Sequence, residues 1–195
     1  MKKKRTAALL LCAIMICLAL VSCGRDENGV PDGMIEVGGE FTDFRLFVPD
    51  DWTQDLESGF VSAHAPDGSN VSVMTLSLGG VYSVSEEDYL IKSGESQYNG
   101  VVDYFEKEYF PTVKATFADI ALTEQYTTGQ TLGGEKRTCK YVYKMMMGEG
   151  IEYTIMQMLA VHGTELFIFT YTAKSEVYES HLEDVSDVVT NFIFK

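Results

Sequence analysis

The sequence has 195 residues and carries 29 acidic against 15 basic side chains, for a formal net charge of −14 at pH 7. This acidity repels phosphate backbones and anionic lipid headgroups, so nucleic acid is excluded as a partner. Hydrophobic residues make up 46% of the chain and aromatic residues 12%, which excludes a largely disordered protein and is enough for one substantial core.

The amino-terminal segment has the order of a secretory signal. Lys2–Arg5 is basic and precedes an apolar run of about 15 residues, Ala7–Val21, which is shorter than the roughly 20 residues that a membrane-spanning helix needs. The residues at its end resemble the bacterial lipobox: Leu20, Val21, Ser22 and Cys23. The resemblance implies cleavage before Cys23 and diacylation of its thiol. A permanent transmembrane anchor, or a cleaved signal with an unmodified cysteine, are the alternatives.

These features predict three regions. Residues 1–22 are a lipoprotein signal peptide that is removed, residues 23–39 are the lipidated Cys23 and a flexible tether, and residues 40–195 are a single domain. The protein would therefore be held by lipid at the extracytoplasmic face of the bacterial cell membrane. Cys139 is the one cysteine in the predicted domain, and its place in a predicted strand favours a buried, inert thiol over an exposed, reactive one.

The first elements of the domain are predicted strands. Phe41–Val48 is rich in β-forming residues and ends at Pro49. Trp52, in the turn that follows, is expected to close one end of the core rather than to bind a ligand. Gly59–His64 and Asn70–Leu78 are then predicted to pair as a hairpin across a tight turn.

A helical region is predicted next. Ser85 and the three acidic residues after it have the pattern of a helix N-cap with negative charge in the first turn. This helix would be interrupted near Gly94 and Gly100 and resume over Val101–Phe110, where apolar and aromatic residues recur at spacing four. Pro111 is expected to end it.

The second half returns to strands, beginning at Phe117–Thr127. Three long strands follow with very short connections, so they must be antiparallel neighbours: Glu135–Met147, Ile151–Val161 and Glu165–Thr172. This meander is the most strongly determined structural feature of the sequence.

A final helix is predicted after Ser175, over about Glu176–Thr190, because apolar residues recur there at the spacing of one helix face. Phe192–Phe194 would add a short terminal strand. A helix with one apolar face must pack on something, and the antiparallel sheet is the available surface. The predicted fold class is therefore α+β, with a central antiparallel sheet flanked by helices.

Several short motifs, in this order, resemble the family that includes the photosystem II extrinsic subunit PsbP and the bacterial DcrB-type proteins. They are Phe47–Pro49 leading into Asp51–Trp52, Asp67–Val71, Leu132–Gly134, and Glu176–Tyr178 with His181. The resemblance implies an α-β-α sandwich around the sheet. It also implies an accessory or scaffolding role, and the family has no catalytic motif to transfer onto this sequence.

Motifs for catalysis or cofactor binding are missing from the sequence. It contains no Gly-x-Ser-x-Gly, Ser-x-x-Lys, His-Glu-x-x-His or Cys-x-x-Cys, and no glycine loop for phosphate or dinucleotide. We therefore predict no catalytic residues, no enzyme activity and no cofactor.

A soft-metal site would depend on one hairpin. Thioethers and thiolates favour Cu(I), and candidate ligands fall on adjacent predicted strands: Met145, Met147, Met156, Met158, Cys139 and His162. A two-residue turn would place Met156 and Met158 on the face of Met145, whereas a three-residue turn would separate them. Methionines that fill the core against aromatic rings are the favoured alternative, so no metal is predicted.

Three functions remain. The leading hypothesis is a lipid-anchored, non-enzymatic accessory module that binds a protein partner at the bacterial cell envelope. The second is a small-molecule or metal-binding lipoprotein, associated with a transporter, which requires an apolar pocket with a few converging polar groups. An enzyme is third and would require a buried cluster of histidine with Cys139 or carboxylates.

Overall fold

The structure is a computed structural model, which describes residues 25–57, 60–77, 82–84, 90–92, 97–98, 104–116, 120–126, 131–134, 136–148 and 150–195. The predicted signal peptide and Cys23 lie outside this part of the chain, and both stay predictions. Among the described residues, no helix is long and apolar enough to cross a membrane.

The chain forms two compact units, Met1–Gly33 and Met34–Lys195. In the described part of the first unit, the Asp26 carboxylate accepts hydrogen bonds from the backbone N–H groups of Asn28 and Val30, both at 2.8 Å. An aspartate that bonds the backbone two residues on stabilises a turn. The second unit contains all the elements below.

The described part of the second unit consists mainly of strands. The strands are β1 (Met34–Val37), β2 (Phe44–Pro49), β3 (Thr53–Glu57), β4 (Phe60–His64), β5 (Asn70–Ser77), β6 (Tyr82–Val84), β7 (Leu90–Lys92), β8 (Gln97–Tyr98), β9 (Ala121–Tyr126), β10 (Thr131–Leu132), β11 (Lys136–Arg137), β12 (Cys139–Met147), β13 (Ile151–His162), β14 (Glu165–Lys174) and β15 (Ile193–Phe194). The helical segments are a π-helical turn at Phe105–Tyr109, α1 (Phe110–Thr116), α2 (Leu182–Asn191) and 3-10 turns at Gly39–Phe41 and Tyr178–His181.

The central sheet has seven antiparallel strands in the order β3-β4-β5-β14-β13-β12-β9. The predicted meander is confirmed as β12, β13 and β14, and the predicted hairpin is confirmed as β4 and β5. β15 confirms the predicted terminal strand and pairs with β2, which also pairs with β1. The sheet with helices makes an α+β fold, as predicted.

Each face of the central sheet has its own core, because neighbouring residues of a strand point to opposite faces. One face buries Val71, Met158 and Phe169 together with Val188 of α2 and Phe44 of β2. We call it the α2 face. It holds most of the buried apolar side chains of the described residues.

The opposite face packs against the π-helical turn, and we call it the α1 face. Phe105 lies at the centre of this core and stacks on Tyr141 of β12. A buried polar network joins the turn to the sheet: Gln157 Nε2 donates to the Tyr109 hydroxyl at 2.9 Å and to Thr170 Oγ1 at 3.1 Å, and the Tyr143 hydroxyl donates to Gln157 Oε1. The network satisfies an amide that burial would otherwise penalise.

Two predicted elements differ in the structure, and one strand was not predicted. Residues 34–37 were assigned to the flexible tether, but they form β1 and pair with β2. The helix predicted from Ser85 is wrong at Leu90–Lys92, which is a strand between β6 and β8. A local N-cap pattern cannot sustain a short helix without tertiary packing. Strand β3, which follows Trp52, was not predicted.

The ends of both helices also differ from the prediction. Pro111 does not end its helix, because it lies in the first turn of α1, where a missing N–H is tolerated. Ser175 does not cap the last helix, because its hydroxyl pairs with Thr154 Oγ1 at 2.7 Å. Instead β14 runs to Lys174, and α2 begins later, at Leu182.

Candidate binding groove

The predicted metal ligands are divided between the two faces of the sheet. Met147 pairs with Ile151, so the β12–β13 connection has the three-residue turn that separates the methionines. Met145, Met147 and Cys139 point to the α1 face, whereas Met156, Met158 and His162 point to the α2 face. The register therefore brings no joint soft-metal site together. Among the residues that the structure describes, no group of three His, Cys, Asp or Glu side chains is arranged to hold a metal ion.

Cys139 is buried, as predicted, in the core of the α1 face. Burial raises the pKa of its thiol to about 12, although a hydrogen bond with Tyr141 acts in the opposite direction. A thiol with this pKa stays protonated near neutral pH, and the thiolate is the reactive form. Cys139 is therefore a core residue and a poor nucleophile.

His181 forms the one cluster of histidine with carboxylates that we find in the described structure. Its Nδ1 lies 3.0 Å from Asp184 Oδ2 and its Nε2 lies 3.2 Å from Asp67 Oδ2. Partial burial lowers the pKa of His181, but the hydrogen bonds with the two carboxylates outweigh it, so the pKa is raised. Since both ring nitrogens are engaged and Trp52 packs edge-on against the ring, no nitrogen is left to act on a substrate.

The motifs behind the family resemblance meet around α2. Trp52, which is buried as predicted, contacts His181, and His181 contacts Asp67. The Tyr171 hydroxyl donates to the backbone carbonyl of Tyr178 at 2.8 Å. Near the other end of α2, the Gly133 N–H donates to the Val189 carbonyl at 2.9 Å. These motifs hold the last helix against the sheet. They are therefore structural residues of the fold and do not form a binding or catalytic site.

A groove of about 410 Å³ lies on the α2 face, at the edge of the central sheet formed by β3. One wall is the chain from Gly38 to Phe44, and the other is formed by β3, β4 and β5. Apolar side chains outnumber polar ones in the lining, and Thr42, Asp43 and Thr75 supply polar groups. The lining residues are Gly38, Phe41, Thr42, Asp43, Phe44, Leu56, Phe60, Val61, Val73 and Thr75.

Phe41 projects from the wall of this groove with 97% of its surface exposed. Leu56 and Phe60, at 54% and 41%, are also exposed large apolar residues. Phe60 pairs with Met74 of the α1-face core, so its side chain points to the α1 face. Scattered apolar residues are normal on protein surfaces, but two of them beside one concavity, Phe41 and Leu56, are characteristic of interaction sites. The sequence prediction missed this feature because it placed Phe41 inside a strand.

The loop that carries Phe41 is held by backbone geometry and by the last residue of the sequence. Gly38 has φ of +91°, and a Cβ atom there would lie 2.9 Å from Thr42 Cγ2, so the turn requires glycine. The Lys195 ammonium donates to the carbonyls of Gly39 and Thr42, and the Lys195 N–H donates to the carbonyl of Asp43. Phe41 is therefore presented on a constrained turn.

Comparison by sequence finds no matching family model and no matching curated protein. Comparison by structure does find matches. The solution structure of cyanobacterial PsbP (CyanoP) from Synechocystis sp. PCC 6803 aligns with TM-score 0.55 at 11% identity, over 84% of this chain and 93% of that one. The chain has a PsbP-like fold. The predicted fold is thus confirmed, whereas the DcrB-type part of the resemblance stays a prediction.

Two further structures align with this PsbP-like domain. A protein of unknown function, PA94 from Pseudomonas aeruginosa, has TM-score 0.51 at 13% identity, over 83% of this chain and 97% of that one. LpqN of Mycobacterium tuberculosis, described as involved in cell envelope biogenesis, has TM-score 0.46 at 14% identity, over 83% of this chain and 90% of that one. At 13% identity, the likeness to PA94 concerns the fold alone.

Proposed function

We propose that this protein is a lipid-anchored accessory protein of the bacterial cell envelope, whose PsbP-like domain binds a protein partner through the Phe41 groove. The observation that carries the proposal is the 97% exposure of Phe41 beside an apolar concavity. Aromatic residues that enter a partner's pocket dominate the energetics of protein interfaces. A constrained turn also lowers the entropy lost when such a residue is buried.

The lipid anchor rests on the lipobox resemblance, and fractionation of producing cells tests it. The wild-type protein is expected in the membrane fraction, because two or more acyl chains give stable attachment. Cys23→Ser is expected to shift the protein to the extracytoplasmic soluble fraction. Tight membrane association of this variant would contradict lipid anchoring and would leave the groove proposal unaffected.

Partner binding is tested by placing a photo-crosslinking amino acid at position 41 in cells. The matched control is position 122, because Leu122 is a 41% exposed residue on β9, the opposite edge strand of the described sheet. We expect a discrete adduct from position 41 that is absent from position 122, and Phe41→Ser should abolish co-purification of the same protein. Equal adducts from both positions would contradict the proposal.

The same groove also supports the second hypothesis, a small-molecule-binding lipoprotein. A volume of about 410 Å³ lies within the range of about 300–1,000 Å³ seen for small-molecule pockets. An apolar ligand in the groove would raise the thermal stability of the purified protein, since it binds the folded state alone. Native mass spectrometry that finds one bound small molecule, lost in Phe41→Ser, together with no protein adduct at position 41, would favour this function instead.

A further inference from the structure

Strand β3 is an edge of the central sheet and one boundary of the Phe41 groove. It pairs with β4 on one side, and no described strand pairs with its other side. An edge strand presents a row of backbone N–H and C=O groups that an extended chain can pair with. A partner segment could therefore continue the sheet at the place where Phe41 is exposed.

The two faces of β3 differ in chemistry. Asp55 pairs with Ser62 on the α1 face, whereas Leu56 pairs with Val61 on the α2 face. Leu56 and Val61 both line the groove. A strand added beside β3 would alternate in the same way, with every second side chain directed toward the groove and the others placed beside Asp55.

Acidic side chains outnumber basic ones around this edge, where the Lys195 ammonium is bound to carbonyls of the loop. Glu40 and Asp43 are exposed on the loop that carries Phe41, and Asp55 is exposed on β3. No lysine or arginine is among the residues that line the groove. Negative side chains discourage pairing with another acidic chain, including a second copy of this one, and favour a basic strand.

We propose that the partner presents an extended segment in which apolar and basic residues alternate, and that this segment pairs with β3 as an additional strand. Its apolar side chains enter the Phe41 groove and its basic side chains lie beside Asp55. This inference rests on the proposed function, because it specifies how the same groove is used. Beyond the proposed function, it specifies that the partner pairs with β3 through its backbone and that its sequence alternates apolar and basic residues.

The test uses synthetic peptides and the full-length protein purified in mild detergent. The probe is a fluorescent decapeptide of alternating lysine and valine, and the control decapeptide alternates lysine and serine, so that charge is kept and apolar side chains are removed. Fluorescence anisotropy at low salt is expected to show roughly 10-fold tighter binding of the lysine–valine peptide. Equal binding of the two peptides would show nonspecific attraction to an acidic protein and would overturn the inference.

Backbone pairing is tested with two N-methylated versions of the lysine–valine peptide. One is methylated at the backbone nitrogens of the odd-numbered residues, and the other at those of the even-numbered residues. A strand that adds to an edge turns alternate N–H groups toward it, so one set should weaken binding by at least about 10-fold and the other should have a small effect. Hydrogen exchange should slow at Thr53–Glu57 when the unmodified peptide is present. Equal effects of the two methylated sets, or unchanged exchange in β3, would overturn strand pairing.

Protein variants locate the contact. Phe41→Ser should weaken binding of the lysine–valine peptide by about 10-fold, and Asp55→Lys should weaken it by about 3-fold. Asp187→Lys, an equal charge change on the exposed side of α2, should leave binding within about 2-fold. If position 41 crosslinks to a protein in cells but the peptide results fail, the strand-addition inference is overturned and the proposed function stands. If the crosslinks are also absent, both are overturned.

Discussion

His181 Nε2 lies 3.2 Å from Asp67 Oδ2, and this contact joins the start of α2 to the β4–β5 turn across 114 residues of sequence. The neighbouring contact with Asp184 engages the other ring nitrogen. The same three side chains thus connect the last helix to the central sheet, and two of them have shifted pKa values.

Stability should depend on the protonation of His181. Its pKa is raised above the ordinary value of 6.5, so its contribution is fully present below that value and is lost as pH rises through the folded-state pKa. The pKa of Asp67 is lowered from 3.8, chiefly by the backbone N–H of Ser69, so its contribution is lost as pH falls through its own folded-state pKa. The stabilising pair is therefore strongest in mildly acidic solution.

His181→Gln is expected to lower the free energy of unfolding by about 0.5–1 kcal/mol at pH values between 3.8, the ordinary pKa of Asp67, and 6.5, the ordinary pKa of His181. The difference from wild type should shrink as pH rises above 6.5. Urea unfolding at several pH values measures it, and Glu183→Gln, an exposed change on the same helix, is the control. A difference that grows with rising pH would contradict the assignment.

Gly133→Ala should destabilise the domain strongly. Gly133 has φ of +65°, and a Cβ atom there would lie 2.1 Å from the backbone carbonyl oxygen of Phe192. The new methyl group would have to displace the end of α2, so we expect a loss of about 2–4 kcal/mol in the free energy of unfolding.

Gly134→Ala is a matched control for that substitution. Gly134 has a similar φ of +71°, but a Cβ atom there would meet nothing within 4 Å. Its cost should be the backbone strain alone, about 1–2 kcal/mol. Thermal or urea unfolding of the two variants separates steric overlap from strain, and equal losses would show that the close approach to Phe192 has no energetic role.

Gln157→Leu should weaken the attachment of the π-helical turn to the sheet. The change removes the hydrogen bonds that connect Gln157 with Tyr109, Tyr143 and Thr170. Buried hydroxyl groups left without these bonds cost about 1–3 kcal/mol in the free energy of unfolding. Hydrogen exchange of the Phe105–Tyr109 backbone should accelerate as well. Gln54→Leu, an exposed substitution on β3, should change stability by less than about 0.5 kcal/mol.

Cys139 should resist alkylation in the folded protein. Burial raises the pKa of its thiol to about 12, so both access and thiolate formation are suppressed at pH 8. Iodoacetamide labelling followed by peptide mapping is expected to show little modification of Cys139 in native buffer and complete modification in urea. Rapid labelling in native buffer would show that the α1-face core opens readily.

Local sequence determined the features that depend on short-range chemistry. Very short connections between β12, β13 and β14 require antiparallel neighbours, so the meander could be predicted. Trp52 and Cys139 are buried as predicted. The acidic composition predicts that nucleic acid is not a partner, because this effect is a property of net charge and does not require a fold; it stays a prediction.

The structure alone decided the features that depend on register and on distant neighbours. A three-residue turn places Met145 and Met156 on opposite faces, because a shift of one residue moves every side chain of a strand to the other face. Leu90–Lys92 is a strand because pairing with β6 and β8 overrides a local helix signal. Phe41 is exposed at the edge of a groove because Gly38 and Lys195 hold its loop away from the core. Composition and periodicity describe a residue's own segment, whereas each of these outcomes was decided by contacts with segments far along the chain.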